Sequence, residues 1–479
     1  MTKTDLSSSD NLIKNASLSK SIAWYGLGNV FIRALSFLLL PVYSNLITTT
    51  EFGNYSLLMS VYSITAIIYQ FGTQSILKKH YLEENNVEKR KVIFSSIFNS
   101  LVISGLFLTV ILTITSVPLS KFIFGKPDFY TLLFLVYSSL FFDSISMYVI
   151  SLLKTKEMAK KSVYYLLIGA IGNFLLNIVF VYMLRLSVAG IFLAQLVSSA
   201  LLLFMQVGII KKEYVFKIDP IVFKSVLFFA LPLVAANLFT SMVNFGDRFI
   251  LNYFVGREEV GLYSFAYRIA LIMNVLVAAF ENAWSPRSIN QFYKNDYKYY
   301  YGKVLTKFIA LSCILLLSVS LFAQYLFKIH LFNISLFNPV YSAGIIVIPF
   351  VVTGYIFNGI SAFYSVYPYV SNKSFHFLIA DSIALVSNIA INIILIPRIG
   401  IIGAGYATTL AFLFEAGYMF LISRRKIEII YQSKELLIAI SAVLLFLITG
   451  MYIKNIAVHF LLVILYILIL RFVAKIKFT

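Results

Sequence analysis

Cysteine occurs once in the 479 residues, at Cys313, and histidine four times, at His80, His330, His376 and His459. A lone thiol excludes a disulfide framework, and the scattered histidines form no metal-binding spacing. Charge is scarce too: 12% of residues are Asp, Glu, Lys or Arg, against roughly 25% in a soluble globular chain. No Gly-x4-Gly-Lys-Ser/Thr loop is present to cradle nucleotide phosphates, so ATP is not expected as a direct energy source and no cofactor is expected. Met1 to Lys20 is polar and has no short apolar run with a small-residue cleavage site, so it does not read as a cleaved signal peptide.

What is abundant is apolar surface. Hydrophobic residues make up 60% of the chain and mean hydropathy is +0.89, too much for one water-soluble core. The apolar runs are continuous over about 20 residues rather than alternating with period two, which selects membrane helices over a transmembrane barrel. The fold class expected is an all-α polytopic membrane protein with about fourteen spans: 21–46, 52–77, 92–118, 128–153, 162–184, 187–210, 221–254, 260–284, 304–327, 338–366, 375–396, 401–422, 435–453 and 456–474. With the N-terminus cytoplasmic, the inner-side connections and the span ends that adjoin them hold 29 Lys and Arg, those on the outer side 7, and three arginines, Arg33, Arg248 and Arg268, lie deep within spans. That asymmetry is the positive-inside pattern of an even number of helices with both termini in the cytoplasm. It also accounts for the net charge of +19 without nucleic acid as a partner.

The chain repeats itself. Glu51-Phe-Gly-Asn-Tyr-Ser56 recurs as Glu259-Val-Gly-Leu-Tyr-Ser264, and Arg185-x4-Gly190-x3-Ala194 as Arg398-x4-Gly403-x3-Ala407. Asn173-x3-Asn177 recurs as Asn388-x3-Asn392 with a two-residue slip. Matches in one order at nearly constant offset indicate duplication. Six spans per copy give both the same orientation, hence two lobes related by an axis along the membrane normal, an arrangement that in transporters puts substrate between the halves. The expected division is 1–212, 213–428, and 429–479 for two additional helices.

Ionised groups inside a span cost at least ~3 kcal/mol each, so those retained are the candidates for chemistry. Arg33 and Arg268 lie near the middle of their spans, and Arg248 sits beside Asp247 in the seventh. One expectation is a cationic cavity that binds an anion such as a phosphate through forked guanidinium donors. The other is pairing with Asp143 or Asp381 to lock helices. Asp247 and Arg248, being adjacent on a helix, are expected to need separate partners or a wet groove, with Arg248 either snorkelling outward or serving a structural role. Asp143, Asp381 and Glu415 are the deep acids and the candidates for coupling to protons or sodium; Glu281, near Trp284-Ser285-Pro286-Arg287, reads as an interfacial anchor. Of the many amides within spans, most read as helix–helix glue. Asn29, Gln70, Gln74, Asn237, Asn244 and Asn274, in the first, second, seventh and eighth spans, are the expected cavity lining. Pro41, Pro232 and Pro349 are expected to interrupt their helices. No residue reads as catalytic.

Asp247-Arg248-Phe249-Ile250-Leu251 followed by Val260-Gly261-Leu262-Tyr263-Ser264-Phe265-Ala266 resembles the mid-chain signature of the Wzx-type polysaccharide flippases of the multidrug/oligosaccharidyl-lipid/polysaccharide (MOP) superfamily. Glu51-Phe-Gly-Asn-Tyr-Ser56 and Gly72-x4-Leu77-Lys78 resemble its first-half counterpart, although Ser44-Asn45-Leu46 stands where many members carry Ala-Arg-x-Leu. The resemblance implies a flippase, not an enzyme, in the bacterial cytoplasmic (inner) membrane. Its substrate would be an undecaprenyl-pyrophosphate-linked oligosaccharide, an O-antigen or capsule repeat unit of lipopolysaccharide or polysaccharide biosynthesis. Its partners would be membrane lipids and the polysaccharide polymerase and export machinery. A drug exporter of the same superfamily would prefer acids in its cavity. A major-facilitator carrier would show a Gly-x3-Asp-Arg-type loop, which Lys78 to Lys91 lacks. A glycan polymerase or ligase would need a large outer loop, and none is present.

Overall fold

The computed structural model describes residues 3–331 and 334–476, with side chains described outside 1–23, 221, 223–233, 331–334 and 477–479. Pro232, expected to interrupt a span, lies outside the described side chains. Apart from a two-residue ladder of His330–Leu331 against Ile334–Ser335, the regular structure among the described residues is helical. Eleven helices there are long and apolar enough to cross a membrane, and up to twelve if one bent pair is a single span. The chain divides into two compact units, Met1–Ile47 with Leu58–Leu238, and Thr48–Leu57 with Phe239–Thr479.

The first unit contains α1 (Lys3–Leu46), most of α2 (Thr49–Gln70), α3 (Thr73–Glu83), α4 (Val87–Ile114), α5 (Ser116–Phe124), α6 (Tyr130–Thr155), α7 (Ala159–Asn177), α8 (Ser187–Glu213) and most of α9 (Pro220–Phe245). The expected span 52–77 is therefore two helices, parted at Phe71 and Gly72, whose φ angles are 41° and 64°. An apolar residue and a glycine do not interrupt a hydropathy pattern, so the break was invisible in it. α6 packs against α3, α4 and α8, around Leu77, Phe94, Ile97, Tyr148 and Leu152, all 0% exposed. Asn86 caps α4, its Oδ1 accepting from the backbone N–H of Glu88 and Lys89 at 2.9 and 3.2 Å. In the same turn the Asn86 N–H donates to Glu84 and holds that half-buried carboxyl below its usual range, with Lys89 and Arg90 adding to the effect.

The second unit contains α10 (Asp247–Phe254), α11 (Arg257–Ala270), α12 (Ile272–Phe292), α13 (Tyr297–Phe322), α14 (Ile348–Tyr364), α15 (Val366–Val370), α16 (Phe375–Ile399), α17 (Ile401–Ser423), α18 (Ser433–Tyr452) and α19 (Ile456–Leu468). α9 and α10 part at Gly246, within the expected span 221–254. α11 and α12 meet at a bend of 42°. Pro349 does not interrupt a helix: a 3-10 segment over Pro339–Val347 precedes it, and the proline falls in the first turn of α14, where its missing N–H is no loss. Pro41 lies inside α1.

The start of α2 belongs to the second unit because of its glycine. A Cβ on Gly53 would collide with the backbone carbonyl of Arg257, and a Cβ on Gly261 with that of Thr49. The two copies of the repeated motif thus meet backbone to backbone, with Phe52 edge-on to Phe265 at 5.8 Å and to Tyr341 at 5.6 Å. Gly53→Ala is expected to force these helices apart at a cost of about 1–3 kcal/mol. Gly26→Ala, where a Cβ meets nothing within 4 Å, should leave stability unchanged or slightly raised. Thermal unfolding in detergent would separate the two.

Candidate functional site

Four helices of the second unit, with the part of α9 from Phe239 that belongs to it, enclose a polar cavity of about 120 Å³, room for several water molecules. α9 contributes Thr240 and Asn244, α12 Asn274, α14 Tyr355 and Asn358, α16 Asp381, and α17 Glu415, with Val243, Ala384 and Phe412 completing the wall. The lining is ordered by its own hydrogen bonds. Thr240 Oγ1 donates to Asp381 Oδ2 at 3.4 Å, Asn244 Nδ2 to the Thr240 carbonyl at 2.8 Å, and Ser361 Oγ to Glu415 Oε1 at 2.6 Å. Tyr355 O–H donates to Asn244 Oδ1 at 3.2 Å and shares a 2.8 Å hydrogen bond with Tyr267. Four of the side chains singled out in the sequence, Asn244, Asn274, Asp381 and Glu415, therefore meet in one place. Thr240 and Tyr355 carried no signal, a threonine and a tyrosine being ordinary inside an apolar run. Asn358 was one of many amides. Among the described residues no group of three or more His, Cys, Asp or Glu is placed to hold a metal ion.

Arg248 is not in this cavity. It is 4% exposed and Asp247 1% exposed, and Arg248 Nη1 donates to Asp247 Oδ1 at 2.7 Å. The expectation of separate partners fails here. The side chain folds back toward the start of α10, which also brings the guanidinium to the Asn244 carbonyl one turn earlier. Tyr263 donates to the other Asp247 oxygen, and the rings of Tyr267, Phe245 and Tyr263 lie 4.4, 5.3 and 5.5 Å from the guanidinium carbon. Such a closed, desolvated pair, caged by aromatic faces, is a helix lock.

Arg268, on α11, is half-buried and differently placed. Its guanidinium donates to the Tyr55 hydroxyl and lies over the rings of Tyr55 and Phe52, 4.7 and 5.5 Å from their centroids. It pairs with no carboxylate among the described residues. The alternative of a lock with Asp381 is not what the side chains do, since Asp381 faces Thr240. In the first unit, Asn29 and Arg33 are exposed on α1, and Gln70 accepts from Gln74 Nε2 at 3.1 Å. Asp143 bonds Tyr62, not Arg33. From Tyr62 a buried network continues to Gln195 at 3.3 Å, from Gln195 to Asn173 at 2.9 Å and on to Asn177 and Tyr43. These amides do tie helices together. Glu281 is exposed on α12.

The elements define a multi-pass helical membrane protein with polar side chains gathered inside each unit, the fold of the MOP transporters. Its similarity extends to the solved structure of the lipid II flippase MurJ in an inward closed conformation, at 16% identity and a TM-score of 0.77, over 94% of this chain and 98% of that one. It is also similar to an inward-facing multidrug resistance MATE family transporter of the MOP superfamily, at 16% identity and a TM-score of 0.64, over 82% and 94% of the two chains. With the Vibrio cholerae MATE transporter VcmN in its bent form the figures are 12% and 0.57, over 90% and 98%. A comparison with curated proteins returned no match. The family model of the polysaccharide biosynthesis proteins matches residues 18–292, and the chain belongs to that family.

Asp247→Asn should strand a buried guanidinium and cost about 3–5 kcal/mol. The double change Asp247→Leu with Arg248→Met should recover most of it, since an apolar pair of similar volume leaves no charge behind. Melting temperatures of the purified variants check both.

Proposed function

We propose that this protein moves an undecaprenyl-pyrophosphate-linked oligosaccharide, an O-antigen or capsule repeat unit, from the inner to the outer leaflet of the bacterial cytoplasmic membrane by ion-coupled alternating access. The single observation that carries this reading, given the family, is the half-buried Arg268: a guanidinium held in place by a tyrosine hydroxyl and ring faces, with no carboxylate to neutralise it among the described residues. A diphosphate offers the paired oxygens that such a planar fork accepts. The similarity to a lipid II flippase supports a lipid-linked substrate. In this reading residues 1–212 and 213–428 act as the two six-helix lobes and 429–479 as further spans. Arg33, Asn29 and Gln70 contribute to substrate binding, and Asp381 and Glu415, with Asp143 in the first unit, take the coupling ion.

A second reading, export of a cationic amphiphile, is favoured by one observation: the cavity of the second unit is lined by two carboxylates and by no lysine or arginine. The two readings separate by mutation. For the flippase, Arg268→Ala should lower glycan export about ten- to a hundred-fold, the worth of hydrogen bonds to a charged group, with protein still in the membrane. Arg268→Lys should restore it in part, since charge survives without the fork. For the exporter, efflux of a cationic dye should survive Arg268→Ala and be lost in Asp381→Asn or Glu415→Gln. Full glycan export by Arg268→Ala would end the first reading.

A further inference from the structure

On α16, Asn388 and Asn392 each fall within about 20° of Asp381 around the helix axis at 3.6 residues per turn, one to either side, with Ala384 on the same side. Asp381 and Ala384 line the cavity. Asn388 and Asn392 continue the stripe toward Arg398, the first of them roughly 6 Å beyond Ala384 along the axis, and they are 1% and 0% exposed. Asn392 Nδ2 donates to Asn388 Oδ1 at 2.9 Å. That leaves Asn388 Nδ2 and Asn392 Oδ1 with no partner among the described residues. Exchanging nitrogen and oxygen in both amides gives the same remainder, one donor and one acceptor.

The first copy of the repeat shows what satisfied amides look like. Tyr43 O–H donates to Asn177 Oδ1 at 2.8 Å, and Asn173 Nδ2 donates to Gln195 Oε1 at 2.9 Å and Ser198 Oγ at 3.3 Å. At the repeat offsets of 208 and 213, the second copy has Leu251 in place of Tyr43, Thr408 in place of Gln195 and Ala411 in place of Ser198. Leu251 and Ala411 carry no polar group, and Thr408 spends its hydroxyl on the Ala404 carbonyl of its own helix. The second copy thus has the amides without those partners.

We infer that Asn388 and Asn392 bind a buried water molecule that relays protons between the cavity carboxylates and the Arg398 end of α16. This rests on the reading of the cavity as the coupling site. A water accepts from Asn388 Nδ2 and donates to Asn392 Oδ1, which matches the orphaned pair. It keeps one O–H and one lone pair. A proton arriving on that lone pair is balanced by release of the remaining O–H proton to cavity water, and from there to Asp381 or Glu415. A bare sodium ion fits poorly, because one of the two free groups is an N–H that points positive charge at it. The charged groups facing the cavity are Asp381 and Glu415, with Glu281 acting on Glu415. α9, α12 and α14 present uncharged Thr240, Asn244, Asn274, Tyr355 and Asn358, and the Asp247–Arg248 pair adjoins the wall at Asn244 and, through the Tyr267 ring, at Tyr355.

The test uses the full chain in proteoliposomes and infrared detection of the protonated carboxyl band, assigned by its loss in Asp381→Asn or Glu415→Gln. On transfer to heavy water the wild-type band should shift at once. In Asn388→Leu with Asn392→Leu, which removes both orphaned groups, the shift should slow by about tenfold or more, while Asn392→Ser, which keeps a hydroxyl for the water, should stay near wild type. Replacing KCl by NaCl at fixed pH should leave the wild-type band unchanged, a measurement that needs no variant. Wild-type exchange in the double leucine variant, or loss of the band in NaCl, overturns the relay. A band that survives both carboxyl substitutions overturns instead the reading of the cavity as the coupling site.

Discussion

A polar group carried into hydrocarbon has to be met by another polar group or by water, and nearly every arrangement in this protein follows from that requirement. Asp247 and Arg248 meet each other, with Tyr263 and a backbone carbonyl taking up what remains. Asn173, Asn177 and Gln195 meet across α7 and α8 and reach Tyr62 and Tyr43 on α2 and α1. Asp381 and Glu415 meet only neutral hydroxyls and amides, around a cavity large enough for water. The groups that are fully paired hold helices in place. Others face a cavity or keep donors to spare. Arg268 belongs to the second kind because its neighbours are a phenol and two ring faces, which leave donors of the guanidinium fork to spare.

The membrane class and the helical fold were legible in the sequence because each rests on a pattern spread over many residues. The depth of Asp381, Glu415, Asn244 and Asn274 was legible for the same reason. That these four converge was not, since convergence depends on how α9, α12, α16 and α17 rotate about their axes, and the apolar face of a membrane helix is too uniform to fix that rotation. The breaks at Gly72 and Gly246 were hidden by residues that hydropathy does not distinguish from their surroundings. The Asp247–Arg248 contact was misjudged because helix-face geometry speaks for short side chains, whereas an arginine can curl back over the turn it starts from.

The two copies of the repeated motifs differ in a way that only side-chain contacts reveal. Both retain an asparagine pair four residues apart, yet one pair is saturated by Tyr43, Gln195 and Ser198 and the other is not. The two motif tyrosines have diverged as well. Tyr55 now serves Arg268, and its counterpart Tyr263 serves the Asp247–Arg248 lock. The two copies thus carry one half-buried and one sealed guanidinium, and one saturated and one unsaturated amide pair.

The meeting of Gly53 with Arg257 and of Gly261 with Thr49 is its own mirror in the numbering, because Thr49 and Arg257 are separated by the same 208 positions as the two glycines. Contacts in which residue i touches j while j touches i are the mark of a closed homodimer. Within the second unit the two motif copies therefore meet in a self-complementary contact, each glycine set against the backbone that precedes the other. Because a Cβ on either glycine would strike backbone, the contact needs both positions bare.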